Sequence, residues 1–251
     1  MAKERRVIRG IVLRSVDTKE ADKILTVLTG DMGKLSVVAK GARSRRSRVT
    51  AATQFLAYSE MTVTESRNWQ MLVEANTIEL FDGIRQDIEI LSLASYFAEL
   101  VDAVTYADLS AGEILPLLLN ALYALGTLKR PAALVKPAFE VKLMALCGFE
   151  PLLDRCAVCG KEQPEEPMLD VVRGTLHCAK CPQKGGLSMP LGAAGLAAMR
   201  HIVYGDAKRL YAFQLPQEEL RWVGHAAEAY VAAQLERGFH TLDFYKQIKS
   251  D

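Results

Sequence analysis

The chain has 251 residues and a formal net charge of +1; hydrophobic residues make up 50% of it and charged residues 24%. This composition is ordinary for a globular protein, and the length allows one large domain or two to three small ones. The most apolar stretch, residues 114–128, is interrupted by Pro116, Asn120 and Gly126, so it is not a membrane-spanning helix. The first ten residues lack the apolar core of a secretory signal, which predicts a cytoplasmic protein.

Positive charge is concentrated at the start of the chain. Residues 1–50 hold thirteen Lys and Arg against five Asp and Glu, whereas the other 201 residues hold eighteen against twenty-five. Within residues 39–48, "AKGARSRRSR", five of the ten side chains are cationic and none is acidic. A basic head on an acidic body predicts that the head binds a polyanion and that the body binds something else.

The first eighty residues have the pattern of short β-strands separated by polar or glycine-bearing turns. Leu35, Val37 and Ala39 alternate on one face with period two, and Gly33 stands where a hairpin turn requires a positive φ. Five short strands predict a closed OB-fold barrel, because closure removes exposed edges; an SH3-like barrel is the alternative. The predicted strands cover residues 7–15, 23–30, 34–41, 54–65 and 71–81.

From residue 84 the hydrophobic period changes to that of helices. In residues 86–104, Leu93, Phe97 and Leu100 recur at spacings of three and four, while Ser92 and Glu99 fall on the opposite face. Further helices are predicted over residues 115–125, over 139–146 with an end at Gly148, over 190–204 and over 216–237.

The helices before and after the cysteines are expected to pack into one bundle. The chain is therefore predicted to be an α+β protein made of three parts. These are an OB-fold nucleic-acid-binding domain at residues 1–82, a helical domain at 83–150 and 188–251, and a zinc module at 151–187 inserted in the helical domain.

Four of the five cysteines form a metal-binding pattern. Cys156 and Cys159 make one C-x2-C pair, Cys178 and Cys181 make another, and eighteen residues separate the pairs. Two residues between cysteines let a tight turn aim both sulfurs at one metal, so two such turns complete a tetrahedron. The alternative of redox pairs or disulfides lacks thioredoxin-like patterning around it. The spacing predicts one structural Zn²⁺ ion, because four thiolates leave no open coordination position.

The sequence contains no recognisable catalytic constellation. Residues 29–36, "TGDMGKLS", miss the spacing of a phosphate-binding P-loop. The chain also has no G-x-S-x-G, no H-E-x-x-H and no H-x-E ahead of its C-x-x-C pairs. His177 is expected to be a solvated loop residue, and Cys147 a small buried hydrophobe. These patterns predict a protein that is not an enzyme.

The basic N-terminal side chains are the candidate contacts to nucleic acid; the alternative is a solvated loop that only aids solubility. Lys and Arg would contact phosphates, which supply affinity without reading sequence. Trp69, in the predicted loop before the fifth strand, is equally consistent with stacking on a base or with folding back over the barrel. The predicted DNA-binding residues are Arg5, Arg6, Arg9, Arg14, Lys34, Lys40, Arg43, Arg45, Arg46, Arg48 and Trp69.

Two stretches resemble a known family. "RGIVLRSVDTKEADKILTVLTGDMGKLSVVAKGARS" at residues 9–44 resembles the N-terminal domain of the RecO family of bacterial recombination mediators. "LCGFEPLLDRCAVCG" at residues 146–160 resembles the entry of that family into its zinc module. Some members of the family lack the four cysteines, and this chain keeps all of them, so the resemblance carries the zinc site over to Cys156, Cys159, Cys178 and Cys181.

The resemblance implies a non-enzymatic protein that binds single- and double-stranded DNA and anneals complementary strands. Members of the family cooperate with RecR, in many pathways with RecF, to load RecA onto strands coated by the single-strand-binding protein SSB. They engage the acidic, hydrophobic C-terminal tail of SSB, for which an apolar groove near Lys136 or Lys142 is the expected site here. Two other functions stay open: an adaptor whose basic loop docks an acidic protein, and a nuclease that uses a zinc-bound water.

Overall fold

The N-terminal strands close into a barrel. The computed structural model describes residues 4–66, 69–181 and 185–250. The barrel strands are β1 (Arg5–Thr18), β2 (Asp22–Thr29), β3 (Gly33–Ala39), β4 (Tyr58–Ser66) and β5 (Trp69–Glu79). Their order is β1-β2-β3-β5-β4, in which β4 pairs with β1 and β3 runs parallel to β5. This closed, five-stranded barrel confirms the predicted OB-like fold.

Side-chain alternation decides which residues fill the barrel. Leu35, Val37 and Ala39 on β3 are buried, as predicted. The predicted start of the fourth strand at residue 54 is wrong, because β4 begins only at Tyr58. The chain before it is not extended: Leu56 has a φ of 63° and its amide donates to the Val12 carbonyl at 2.9 Å. The alternation of apolar residues in the sequence extends into residues 54–57, but the backbone of this segment turns and does not form a strand.

The hairpin between β2 and β3 needs its glycine. Gly33 has the predicted positive φ, at 63°. A Cβ atom there would lie 2.1 Å from the Tyr106 carbonyl oxygen. That same oxygen accepts a 3.0 Å hydrogen bond from the Lys34 amide, and the Ala111 amide donates to the Gly30 carbonyl at 2.7 Å. The turn thus holds residues 105–111 by backbone hydrogen bonds that leave no room for a side chain.

Over the described residues, seven α-helices make up the α part of this α+β chain. They are α1 (Asp82–Arg85), α2 (Ile88–Val104), α3 (Ile114–Gly126), α4 (Ala132–Leu146), α5 (Ala193–Tyr204), α6 (Gln217–Leu235) and α7 (His240–Ser250). None of the described helices is long and apolar enough to cross a membrane. The sequence reading missed α7, whose only buried apolar residues, among those with described side chains, are Leu242 and Tyr245. The segment is polar overall, so it has few apolar residues from which a helix could be predicted.

Helix α2 shows how polar side chains departed from the predicted faces. The Asp87 carboxylate begins the helix by accepting from the amides of Glu89 and Ile90. Ser92, expected to face away from the core, is buried, and its hydroxyl donates to the Glu89 carbonyl at 2.7 Å. Bonding to its own helix satisfies the hydroxyl, so the small side chain can enter the core. The Glu99 carboxylate accepts hydrogen bonds from the amide and the hydroxyl of Thr241.

The chain divides into two compact units. The first comprises residues 1–127 with 241–251, and the second comprises 128–240. Helices α1 to α3 thus share a unit with the barrel, whereas the predicted helical domain grouped them with the later helices. The two units do not test which parts of the chain fold independently, so the predicted domain boundaries stay predictions.

The second unit combines a helical bundle with a small sheet. Helix α4 packs against α5 and α6, so helices from before and after the cysteines do meet. The sheet has the order β7-β6-β8, formed by β6 (Pro167–Asp170), β7 (Thr175–Cys178) and β8 (Ser188–Pro190). Cys156 and Cys159 lie between α4 and β6, Cys178 is the last residue of β7, and Cys181 follows it.

Two lysines of α4 are engaged inside the second unit. Lys136 Nζ lies 2.8 Å from the Glu140 carboxylate and 3.0 Å from that of Glu228 on α6. Lys142 Nζ donates to the Val203 carbonyl at 2.9 Å. Both ammonium groups therefore serve contacts within the unit, which argues against either as the cation beside a groove for the SSB tail.

Candidate nucleic-acid interface and metal centre

The four paired cysteines converge on one point. All four Sγ atoms of Cys156, Cys159, Cys178 and Cys181 lie within 4.8 Å of one another. The Cys156–Cys181 sulfurs are 3.9 Å apart and the Cys159–Cys178 sulfurs 3.8 Å. Four thiolates at about 2.3 Å from a tetrahedral zinc ion would be separated by about 3.8 Å. The donor set and its spacing therefore fit one metal ion held by four sulfurs.

Tight turns bring each pair of sulfurs together. In the first turn, the Cys156 amide donates to the Lys161 carbonyl at 2.8 Å and the Gly160 amide donates to the Cys156 carbonyl at 2.9 Å. Gly160 has a φ of 74°, so it supplies the left-handed residue that the turn requires. The second pair begins at the last residue of β7, Cys178, whose carbonyl accepts from the Cys181 amide at 3.0 Å. Local spacing thus builds each half of the site.

Backbone dipoles favour the thiolate form in the first turn. Burial raises the pKa of Cys156, but the amides of Cys159, Val158 and Cys178 outweigh it and lower the pKa to about 6. Metal binding needs deprotonated sulfur, so these amides favour it. Because all four positions of a tetrahedron would be filled by protein, the site offers structure rather than an open coordination position for water.

His177 and Cys147 are the two other residues of this region for which the sequence predicts no role in metal binding. His177 is not a solvated loop residue: it is buried on β7, with Nδ1 3.0 Å from the Cys178 carbonyl and Nε2 2.8 Å from the Ser188 hydroxyl. It therefore connects the second cysteine turn to β8. The position of His177 next to Cys178 in the sequence does not predict this contact. Cys147 is half-buried, and burial raises its pKa to about 11.

The basic loop, defined as residues 40–50 between β3 and β4, is anchored at several points. The Gly41 amide donates to the Asp22 carboxylate at 2.8 Å, and the Arg43 amide donates to the Ala21 carbonyl at 2.9 Å. The Thr50 hydroxyl donates to the Ala42 carbonyl at 2.9 Å. These bonds hold the loop against the turn between β1 and β2, so its cations extend from a defined backbone.

The loop cations differ in their pairing. Arg43 lies 3.2 Å from the Asp17 carboxylate of β1, a partner that the acid-free loop sequence did not reveal. Across residues 4–66, 69–181 and 185–250, none of the other four loop cations forms an ion pair with a carboxylate. These four exposed side chains are Lys40, Arg45, Arg46 and Arg48. Together they form a cluster of positive charge without carboxylate partners on the described part of the barrel.

The remaining basic candidates are dispersed over the barrel. Lys34 donates to the carboxylate of Asp102 at 2.8 Å and is 24% exposed, and Arg9 pairs with Glu60 at 2.9 Å. Arg6 lies 3.3 Å from the Met32 sulfur. Arg5 and Arg14 are exposed on β1. Such pairing leaves Lys34 and Arg9 less available to a phosphate than the loop cations.

Trp69 begins β5 rather than lying in the loop before it. It pairs with Ser66 of β4 across the ladder and is 41% exposed. An indole with that exposure is accessible to a base, although half of its surface already packs on the protein. The neighbouring residues 67 and 68 of the predicted loop lie outside the described residues.

Comparison with known proteins is consistent with this architecture. A family model described as "Recombination protein O N terminal" matches residues 4–81, and one described as "Recombination protein O C terminal" matches residues 85–243. A DNA repair protein RecO of Acetivibrio thermocellus is 32% identical over 95% of both chains. That of Symbiobacterium thermophilum is 31% identical over 97% of both. That of Heliobacterium modesticaldum is 35% identical over 86% of this chain and 80% of its own.

Proposed function

Because the chain belongs to the RecO family of DNA repair proteins, we propose that it is a recombination mediator that binds and anneals DNA. The observation that carries the proposal is the basic loop, whose Lys40, Arg45, Arg46 and Arg48 extend from an anchored backbone without carboxylate partners among the described residues. Such a cluster binds the sugar-phosphate backbone of single and double strands alike.

Annealing follows from the same electrostatics. Two complementary strands repel each other through their phosphates, and cations placed between them lower that repulsion. The loop neutralises charge on both strands while their bases pair, so no nucleotide hydrolysis is required. No residue of the chain is assigned a catalytic role in this proposal.

The partners follow the family. With RecR, and functionally with RecF, the protein loads RecA onto SSB-coated single strands by binding the SSB tail, in the cytoplasm and on the nucleoid. The four cysteines hold one structural Zn²⁺ in the second unit. A zinc-dependent nuclease would need an open metal position, which a complete four-thiolate set does not provide.

Removing the loop charges tests the DNA contact. The variant with alanine at Lys40, Arg45, Arg46 and Arg48 should bind single strands more weakly and lose annealing while remaining folded. Four lost phosphate contacts should make the slope of log K against log salt shallower by about 2.8. Fluorescence anisotropy across a salt series measures the slope, and circular dichroism checks the fold.

A matched control removes as much charge elsewhere. Alanine at Arg130, Lys208, Arg209 and Arg221, all exposed in the second unit, should leave affinity and slope near wild type. Equal losses in both variants would reduce the effect to net charge and contradict the proposal. Tight binding of an acidic protein that single-stranded DNA fails to displace from the loop would instead indicate an adaptor.

A further inference from the structure

A pocket lies between the basic loop and β5. It has a volume of ≈ 380 Å³, within the range of small-molecule sites. It is lined by seven residues of the loop segment 40–49 and by Leu72 and Val73 of β5. The two segments are distant in sequence, so neither the charge run nor the strand pattern predicted a cavity here.

The floor of the pocket is apolar. Val49 and Leu72 are half-buried and pack against the hydrophobic core of the barrel. Val73 lines the pocket beside Leu72 and is 45% exposed. Exposed apolar surface at the bottom of a cavity gains free energy when a flat apolar group covers it.

The rim of the pocket is cationic and its backbone is ordered. Lys40, Arg46 and Arg48 line the pocket, and all three are exposed, whereas Val49 and Leu72 pack on the core. Two successive turns shape the loop beneath them: the Ser44 amide donates to the Gly41 carbonyl at 3.0 Å, and the Ser47 amide donates to the Ser44 carbonyl at 2.9 Å. A preformed rim loses little conformational entropy when it binds an anion.

We infer that this pocket holds one unstacked base of a single strand, with the adjoining phosphates on the cationic rim. The inference rests on the proposed DNA binding and assigns to this pocket a contact that only an unpaired strand can make. An apolar floor beneath cations matches a nucleotide, whose base is flat and whose phosphate is anionic. The bases of a duplex are stacked inside it, so only an unpaired strand can place a base there without paying for unstacking.

The inference is tested by separating the base from the phosphate. Val73→Gln removes apolar floor without changing charge, and Ile78→Gln makes the same change on β5 at a residue outside the pocket that is 49% exposed. The probes are a short oligothymidylate, an abasic oligonucleotide of the same length, and a blunt duplex. Wild type and Ile78→Gln should bind the oligothymidylate about five-fold tighter than the abasic strand, because a base that covers the apolar floor gains binding free energy. Val73→Gln should lose that preference and bind the duplex like wild type.

Two outcomes would overturn the pocket while leaving the proposed function intact. The first is that wild type binds the abasic and base-bearing strands with equal affinity. The second is that Val73→Gln loses as much affinity for the duplex as for the oligothymidylate. The proposed function fails differently, when the alanine variant of the four loop cations binds all three probes like wild type. Thermal melting of both glutamine variants confirms that they remain folded.

Discussion

At the scale of single residues, Lys136, Glu140 and Glu228 form a largely buried ion cluster inside the second unit. The Glu140 side chain is fully buried and that of Lys136 is 10% exposed. Lys136→Met would leave the carboxylates without the cation, which we expect to cost about 3–5 kcal/mol of unfolding free energy. Urea denaturation measures the loss. Arg9→Met breaks the exposed pair with Glu60 and should cost under about 1 kcal/mol.

The pH dependence of this cluster follows from the direction of its shift. Burial lowers the pKa of Lys136, but Glu140 and Glu228 outweigh it, and the pKa rises above its ordinary value of 10.5. A cation with a raised pKa in the folded state stabilises fully below 10.5 and loses that contribution at higher pH. The advantage of wild type over Lys136→Met should therefore stay constant through neutral pH; an advantage that shrinks between pH 6 and 8 would contradict this assignment.

Cys147 should be an unreactive thiol in the folded protein. Burial raises its pKa from 9.0 to about 11, so the folded state favours the neutral thiol, a preference present below pH 9 and lost as the pH rises to 11. At pH 8 its thiolate population should be about 100-fold below that of the unfolded chain. Mass spectrometry of iodoacetamide labelling against pH measures this, with the urea-unfolded protein as control. A folded-state midpoint near pH 9 would show that burial does not protect the thiol.

At the scale of elements, the turn between β2 and β3 depends on one glycine. In Gly33→Ala the new Cβ meets the Tyr106 carbonyl oxygen at 2.1 Å, at a φ of 63° that alanine rarely adopts. Strain and displacement of that backbone should cost about 3–5 kcal/mol. Gly41→Ala is the matched control: it has the same φ but nothing within 4 Å, so about 1 kcal/mol is expected. Equal losses in urea denaturation would mean that the packed loop is free to move aside.

At the scale of the whole molecule, the four-cysteine cluster belongs to the second unit and the proposed DNA contacts to the first. Replacing Cys156 and Cys178 with serine removes half of the thiolates, so metal-linked stabilisation on the order of 10 kcal/mol should be lost. Hydrogen exchange should accelerate across residues 128–240, while residues 4–66 stay protected. Elemental analysis should find one zinc per chain in wild type and none in the variant. A fully metal-free wild type would remove the structural assignment.

DNA affinity is the second readout of the cysteine variant. Because the backbone of the basic loop is anchored to Ala21 and Asp22 within the first unit, affinity for single strands should remain near wild type. A loss as large as that of the loop-alanine variant would place the metal centre in the DNA contact itself.

Sequence by itself determined the features that depend on neighbours along the chain. Period-two burial on β3, the left-handed Gly33 and the two cysteine turns all follow from spacing within a few residues, because backbone geometry there is local. The long stretches shared with the family carried the architecture of the barrel. The concentration of charge in the basic loop is also determined by the sequence, because the cationic residues can be counted directly.

Tertiary structure decided what depends on residues far apart. It paired Arg43 with Asp17 and Lys34 with Asp102, and it placed Val73 opposite the basic loop to form the pocket. It also buried His177, which the sequence predicts to be a solvated loop residue. Partners of this kind are fixed by how strands and helices pack, and no periodicity encodes which distant carboxylate or apolar side chain a folded barrel brings alongside a given cation.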